Sequence, residues 1–151
     1  MKKRVHSHQR GQTLVEFALI LPAFLLLSVV IFDFGRAVYY YSTIHNAARE
    51  GARYGIVHPN DSDGIKAAVV KYAIGLGITP DDVPDPIISL SEQVGGNKTY
   101  AVTVTVNYCF VPVTPMVEDF LPAQTDAPCG CNKHLLLSSD AVMRTEAKPY
   151  P

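Results

Sequence analysis

The sequence has no excess of charge of either sign. Its 151 residues include 13 lysines and arginines and 14 aspartates and glutamates, which gives a formal net charge of -1. A protein whose overall charge attracts nucleic acid carries a clear surplus of basic residues. We therefore expect no nucleic acid among the partners of this chain.

The sequence also lacks the motifs on which common enzyme classes depend. It contains no glycine-rich phosphate loop, no nucleophile elbow and no metalloprotease helix motif. A membrane-anchored enzyme is thus an alternative without a site to support it. We expect a non-enzymatic protein that uses no cofactor and no metal.

What the N-terminus does contain is a basic leader followed by a long apolar run, Ala18 to Phe32. Lysine and arginine ahead of an apolar stretch hold that end of the chain in the cytoplasm. The leader ends at Gly11, and Glu16 stands at the top of the apolar helix, where an uncompensated carboxylate costs a few kcal/mol. A cut between Gly11 and Gln12 would create an α-amine about one helical turn from Glu16. A neighbouring subunit cut in the same way could offer its own amine as the counter-ion.

This layout resembles the prepilin leader of type IV pilins and pseudopilins. Two motifs further along, Asp33-Phe34-Gly35-Arg36-Ala37 and Ala47-Ala48-Arg49-Glu50-Gly51-Ala52-Arg53-Tyr54, resemble the signature of the TadE-like family. These are pseudopilins of the tight adherence (Tad, or Flp) pilus. The resemblance covers roughly Arg10 to Gly55, and its motif residues on the helix are Asp33, Gly35, Arg36, Ala48, Arg49, Glu50, Gly51 and Arg53.

The resemblance implies a structural subunit, a pseudopilin or minor pilin. A prepilin peptidase would cut it between Gly11 and Gln12, and Glu16 would pair with an N-terminal amine during assembly. Its expected partners are membrane lipid, other pilins and the Tad platform proteins, through self- or hetero-assembly. Major pilins of the system are usually far shorter, so a sizeable domain argues for a minor, initiating or adaptor subunit, with the main filament subunit as an alternative.

Two further alternatives concern the membrane segment itself. An ordinary secretory signal predicts a short apolar region and then a small-x-small cleavage site. Here the apolar run is longer and continues directly into helix-compatible sequence. The other alternative is an uncut anchor that displays an extracytoplasmic binding module.

The remaining pattern predicts an α+β fold. We expect a cleaved leader (1–11), one long helix (12–57, with 12–34 crossing the cytoplasmic membrane once) and an extracytoplasmic domain (58–151). Helical spacing predicts a second helix from about Ser62 to Gly75, and alternation predicts about three antiparallel strands. On the clearest strand, one face from Tyr100 to Phe110 should pack on the helices and the other should contact solvent.

A row of small residues on the outer half of the long helix predicts close packing. Ala47, Gly51 and Gly55 recur at a spacing of four. Glycine inside a helix costs about 1 kcal/mol relative to alanine, so close approach of another backbone is the expected compensation. That partner is either the sheet of the same chain or a helix of another subunit. Beside the row, Glu50 and Arg53 are spaced so that they can form an ion pair, and a solvated helix face is the alternative for these charges.

Cysteine is scarce, with Cys109, Cys129 and Cys131 as the only three. The last two, with His134, could bind zinc if Cys109 supplied the fourth ligand that a structural site normally needs. A disulfide from Cys109 to Cys129 or Cys131 is the favoured interpretation, because the domain is expected in an oxidising compartment. Three cysteines leave one over, and the sequence does not choose the pairing.

Overall fold

One helix organises the chain. In a computed structural model, which describes residues 9–94, 97–114 and 135–145, helix α1 spans Gln9–Val57. Its 49 residues give a length of about 74 Å. Pro22 lies inside the helix without ending it. The helix is long and apolar enough to cross a membrane, and its most hydrophobic stretch is not buried against the protein at all.

The outer half of α1 packs against a small domain that begins with helix α2 (Ser62–Tyr72). Asp61 caps α2 by accepting a hydrogen bond from the backbone N–H of Gly64 (2.9 Å), and the hydroxyl of Tyr54 on α1 donates a second one (2.8 Å). These two bonds lower the pKa of the Asp61 carboxyl. Asp61 is therefore the N-cap residue of α2.

Helix α2 ends earlier than predicted, at Tyr72 rather than near Gly75. Gly75 and Gly77 adopt φ values of +80° and +66°, which belong to the left-handed region that favours glycine. They lie in the turn that follows the helix, before a short 3-10 helix at Pro80–Asp82.

Three antiparallel strands complete the domain: β1 (Ile87–Val94), β2 (Asn97–Phe110) and β3 (Leu135–Thr145). Their order is β1-β2-β3, so the longest strand is central. The core-facing valines of β2, at positions 102, 104 and 106, are fully buried in the core with α1 and α2. The α+β architecture and the inward face of β2 are therefore confirmed.

The outward face of β2 is less exposed than predicted, because Ala101 and Asn107 are buried. Ala101 is paired with Ser89 on one side and Arg144 on the other, and side chains on flanking strands shield a single methyl group. Asn107 lies beyond the part of β2 that pairs with β1. There it borders a cavity of about 200 Å³ lined by the connection between α2 and β1. The prediction of a solvated second face was wrong at these two positions.

Candidate assembly surface on the long helix

The proposed cleavage site lies on the first turns of α1. Gly11, Gln12 and Glu16 are all exposed there. A Cβ atom added to Gly11 would meet no other atom within 4 Å, so the packing of the described residues does not require glycine at that position. Among the side chains that the structure describes, Glu16 has no ion-pair partner.

The first helix motif is built around a buried carboxylate. Asp33 is only 8% exposed, although the phenylalanines on either side of it face outward. Its carboxylate accepts hydrogen bonds from the backbone N–H groups of Val113 (2.9 Å) and Thr114 (2.7 Å) and from the Thr114 hydroxyl. Residues 111–114 follow directly on β2, and we call them the basal segment. Asp33 thus ties the basal segment to the helix where the apolar run ends.

Arg36 completes this junction from the next turn of α1. Its guanidinium lies 3.2 Å from the Asp33 carboxylate and over the rings of Tyr40 and Phe110, at 5.5 Å and 5.4 Å from their centroids. The ring of Tyr40 also meets Tyr108 edge-on at 5.3 Å. The motif therefore fixes the domain to the helix through charge, hydrogen bonds and aromatic contacts.

Sequence reasoning identified Asp33 and Arg36 only as motif residues and missed Thr114 altogether. The available signal was the carboxylate itself, because a charge at the end of an apolar run requires donors close by. Of the three consecutive tyrosines at 39–41, Tyr40 packs on the sheet, where its ring meets those of Tyr108 and Phe110. Tyr39 and Tyr41 are exposed.

The small residues of the second motif pack against the rest of the same chain. An added Cβ on Gly51 would lie 2.5 Å from Val69 Cγ2 on α2 and 3.3 Å from Val104 Cγ1 on β2. On Gly55 it would lie 2.9 Å from Val102 Cγ1. Of the two partners that the sequence left open, the chain's own α2 and sheet occupy this face. The closest contacts are made by side chains.

The charged residues of the second motif lie on the outside. Glu50 and Arg53 form no ion pair with each other in the part of the chain that the structure describes, so the pairing that their spacing allows is not observed there. Both instead line an open groove of about 540 Å³ between α1 and α2. The groove also includes Lys71 and Tyr72 of α2. Arg49 is exposed as well. The motif thus has a buried part that folds the domain and a surface part available for contacts.

Of the residues in the disulfide and zinc hypotheses, the structure describes only Cys109. Cys109 is half-buried and is not a free thiol. Cys129, Cys131 and His134 lie outside the described residues, so both the disulfide pairing and the zinc alternative stay predictions. Within the described ranges, no group of three or more histidine, cysteine or acidic side chains is placed to hold a metal.

Comparison with known proteins bears on the helix and its motifs. No curated protein and no solved structure gives a significant match to the chain. The family model described as TadE-like protein matches residues 11–53, which include Gly11, the whole apolar run, the first motif and the second motif as far as Arg53. Over residues 11–53 the chain is therefore similar to TadE-like proteins, as the sequence resemblance indicated.

Proposed function

We propose that this chain is a membrane-anchored pseudopilin or minor pilin that takes part in assembling a Tad pilus. The observation that carries the proposal is the family match over residues 11–53, together with a helix whose apolar half is covered by none of the residues that the structure describes. An uncovered apolar helix is suited first to lipid and then to the helices of other subunits. The proposed partners are a prepilin peptidase, other pilins and the Tad platform proteins.

The proposed topology follows from the charge distribution of the chain. The basic leader stays in the cytoplasm, residues 12–34 cross the membrane and residues 58–151 lie outside it. After cleavage between Gly11 and Gln12, the subunit could leave the membrane and join a surface filament. The chain performs no catalysis in this proposal, and its activity is assembly.

Gly11→Leu is expected to leave the full-length chain in the membrane. Folding does not require glycine at this exposed position, so a peptidase pocket fitted to glycine is the constraint that leucine would violate. Gly35→Leu is the matched control, because an added Cβ there also meets nothing within 4 Å. A gel of membrane fractions measures the cut. Normal-sized mature protein from Gly11→Leu, as from Gly35→Leu, would contradict the proposed processing.

Glu16→Ala is expected to insert and to be cut, but to co-purify poorly with the other pilus components. Neither insertion nor cleavage needs a partner for the carboxylate. Assembly does, if the N-terminal amine of a neighbouring subunit pairs with it in a low-dielectric setting. Asp140→Ala, at an exposed position on β3, is the control. Undiminished co-purification of Glu16→Ala would remove the carboxylate from the assembly contacts.

Non-reducing mass spectrometry of the mature protein is expected to show Cys109 linked to Cys129 or Cys131. Closing a loop of about twenty residues in this way contributes about 3 kcal/mol in the chain-entropy model. The finding that Cys109 is not a free thiol supports this expectation. Three free thiols in protein from an oxidising envelope, or stoichiometric zinc, would count against it.

N-terminal sequencing of the purified protein tests the proposal as a whole. A mature chain that begins at Gln12 supports the pilin, whereas an intact leader supports the uncut anchor with a binding module. Electron microscopy of sheared surface appendages then distinguishes a main filament subunit from a minor one by its abundance along the filament.

A further inference from the structure

The basal segment presents its residues to the outside in an unexpected order. Val111 and Val113 are 47% and 68% exposed, whereas Pro112 and Thr114 between and after them are buried. In an extended segment, successive side chains point to opposite sides. A slip by one residue would therefore turn the valines inward and the threonine outward. In contact with water, the opposite order would be favoured, with the apolar valines buried and the polar threonine exposed.

Asp33 enforces this order. Its carboxylate accepts the N–H groups of both Val113 and Thr114 and the Thr114 hydroxyl, which fixes the threonine against the helix. With Thr114 held inward, the side chain of Val113 has to face outward. The exposed valines are thus a consequence of specific hydrogen bonds on the buried side.

The depth of the basal segment follows from its attachment to the helix. From Glu16 to Asp33 the helix rises about 26 Å, slightly less than the roughly 30 Å hydrocarbon core of a bilayer. Asp33 therefore reaches no further than the outer edge of the hydrocarbon when Glu16 stands at the inner edge. Phe34 beside it is 72% exposed. The helix is thus exposed at the level of the basal segment, as it is along the apolar run.

The charges at this level are consistent with contact with lipid. The Asp33 carboxylate is paired with Arg36 and accepts hydrogen bonds from three donors of the basal segment, so this carboxylate is not left bare at the surface. A paired and hydrogen-bonded charge costs far less at a membrane boundary than an isolated one.

We propose that the basal segment lies in the outer interface of the bilayer, with the side chains of Val111 and Val113 in contact with lipid. The domain then rests on the membrane surface, and the subunit has two lipid contacts. One is its helix, and the other is the base of its domain. Entry into a filament requires the second contact to be released. This inference rests on the proposed membrane anchor.

The chain has no tryptophan, so a single introduced tryptophan reports on its own surroundings. We would compare full-length Val113→Trp with two controls in phosphatidylcholine vesicles. Phe24→Trp lies in the middle of the apolar run, and Val142→Trp lies at a 62% exposed position on β3. Val142 is near the C-terminal end of β3, where the Thr145 hydroxyl donates a hydrogen bond of 2.8 Å to the backbone carbonyl of Ile56 on α1. This end of the strand is far along the helix from Asp33. Val111→Trp repeats the measurement should Val113→Trp fail to fold.

The measurements are the emission wavelength and the loss of fluorescence with lipids brominated near the headgroup or near the chain end. Val113→Trp is expected to emit at a shorter wavelength than Val142→Trp and to lose more fluorescence with the shallow bromines than with the deep ones. Phe24→Trp should show the opposite depth preference, and Val142→Trp should respond to neither lipid.

Three results would overturn the inference. Val113→Trp could behave like Val142→Trp, which would place it in water. It could emit at a short wavelength without quenching by either lipid, which would mean that protein covers it. Repeating the measurement at a lower protein-to-lipid ratio would then show what covers the tryptophan. Cover by a second copy would be lost on dilution, whereas cover by the same chain would remain. If Phe24→Trp itself were not quenched, the proposed membrane anchor would be contradicted as well. If Phe24→Trp were quenched and Val113→Trp were not, only the proposed lipid contact of the basal segment would be contradicted.

Discussion

Gly51→Leu is expected to destabilise the globular domain by about 3 kcal/mol or more. An added Cβ would lie 2.5 Å from Val69 Cγ2, and Val69 is a fully buried, β-branched side chain that cannot move aside easily. Leucine favours the helix by about 1 kcal/mol over glycine, which is too little to offset the clash. In a domain of this size the thermal midpoint would fall by roughly 10–20 °C.

Gly35→Leu is the matched control for this prediction as well. It makes the same substitution in the same helix, but an added Cβ meets nothing within 4 Å. It should therefore keep the wild-type midpoint or raise it slightly. Thermal unfolding in detergent, followed by circular dichroism, measures both variants. Equal midpoints for the two variants would show that the face bearing Gly51 is not packed as described.

Asp33→Ala is expected to release the basal segment and to destabilise the domain by about 2 kcal/mol. The substitution leaves the N–H groups of Val113 and Thr114 without their acceptor and Arg36 without its carboxylate. Arg36 still contacts the rings of Tyr40 and Phe110, so the helix and sheet should stay together. Hydrogen exchange of the two freed amides should rise much more than exchange in the centre of β2.

Asp33→Asn separates charge from shape at the same site. It keeps the size of the side chain but replaces one acceptor oxygen with an NH₂ group that would face N–H donors. We expect it to fall between the wild type and Asp33→Ala. Asp140→Ala, at an exposed position, should change neither exchange nor stability. Unchanged exchange at Val113 and Thr114 in Asp33→Ala would contradict the role assigned to this carboxylate.

Local sequence patterns were sufficient for the elements of this fold. The apolar run and the helical spacing after it predicted a helix to Val57, and strict alternation predicted β2 with its buried valines. These features depend on neighbours within a few positions, because the periods of helix and strand decide which side chains share a face. Element ends were less certain. Helix α2 stops at Tyr72 because left-handed glycines beyond it begin a turn.

The junction between helix and domain could be predicted only in part. The motif residues were identified from resemblance, but their roles depend on partners far along the chain. The acceptor Asp33 and its donor Thr114 are 81 positions apart. No local period links such positions, since their meeting depends on the register of β2 and on how the sheet lies across α1.

Local composition and period encode a helix long enough to cross a membrane, a second helix and an antiparallel sheet, so these elements could be predicted from the residues alone. The packing of Gly51 against Val69 of the same chain became known only from the folded arrangement. The same arrangement shows that Glu50 and Arg53 line a groove instead of pairing, and that Asp33 turns Val113 outward. Those outcomes depend on which surfaces meet in three dimensions. The period of a sequence indicates which residues share one face of a helix or strand, but it does not indicate which other element that face contacts.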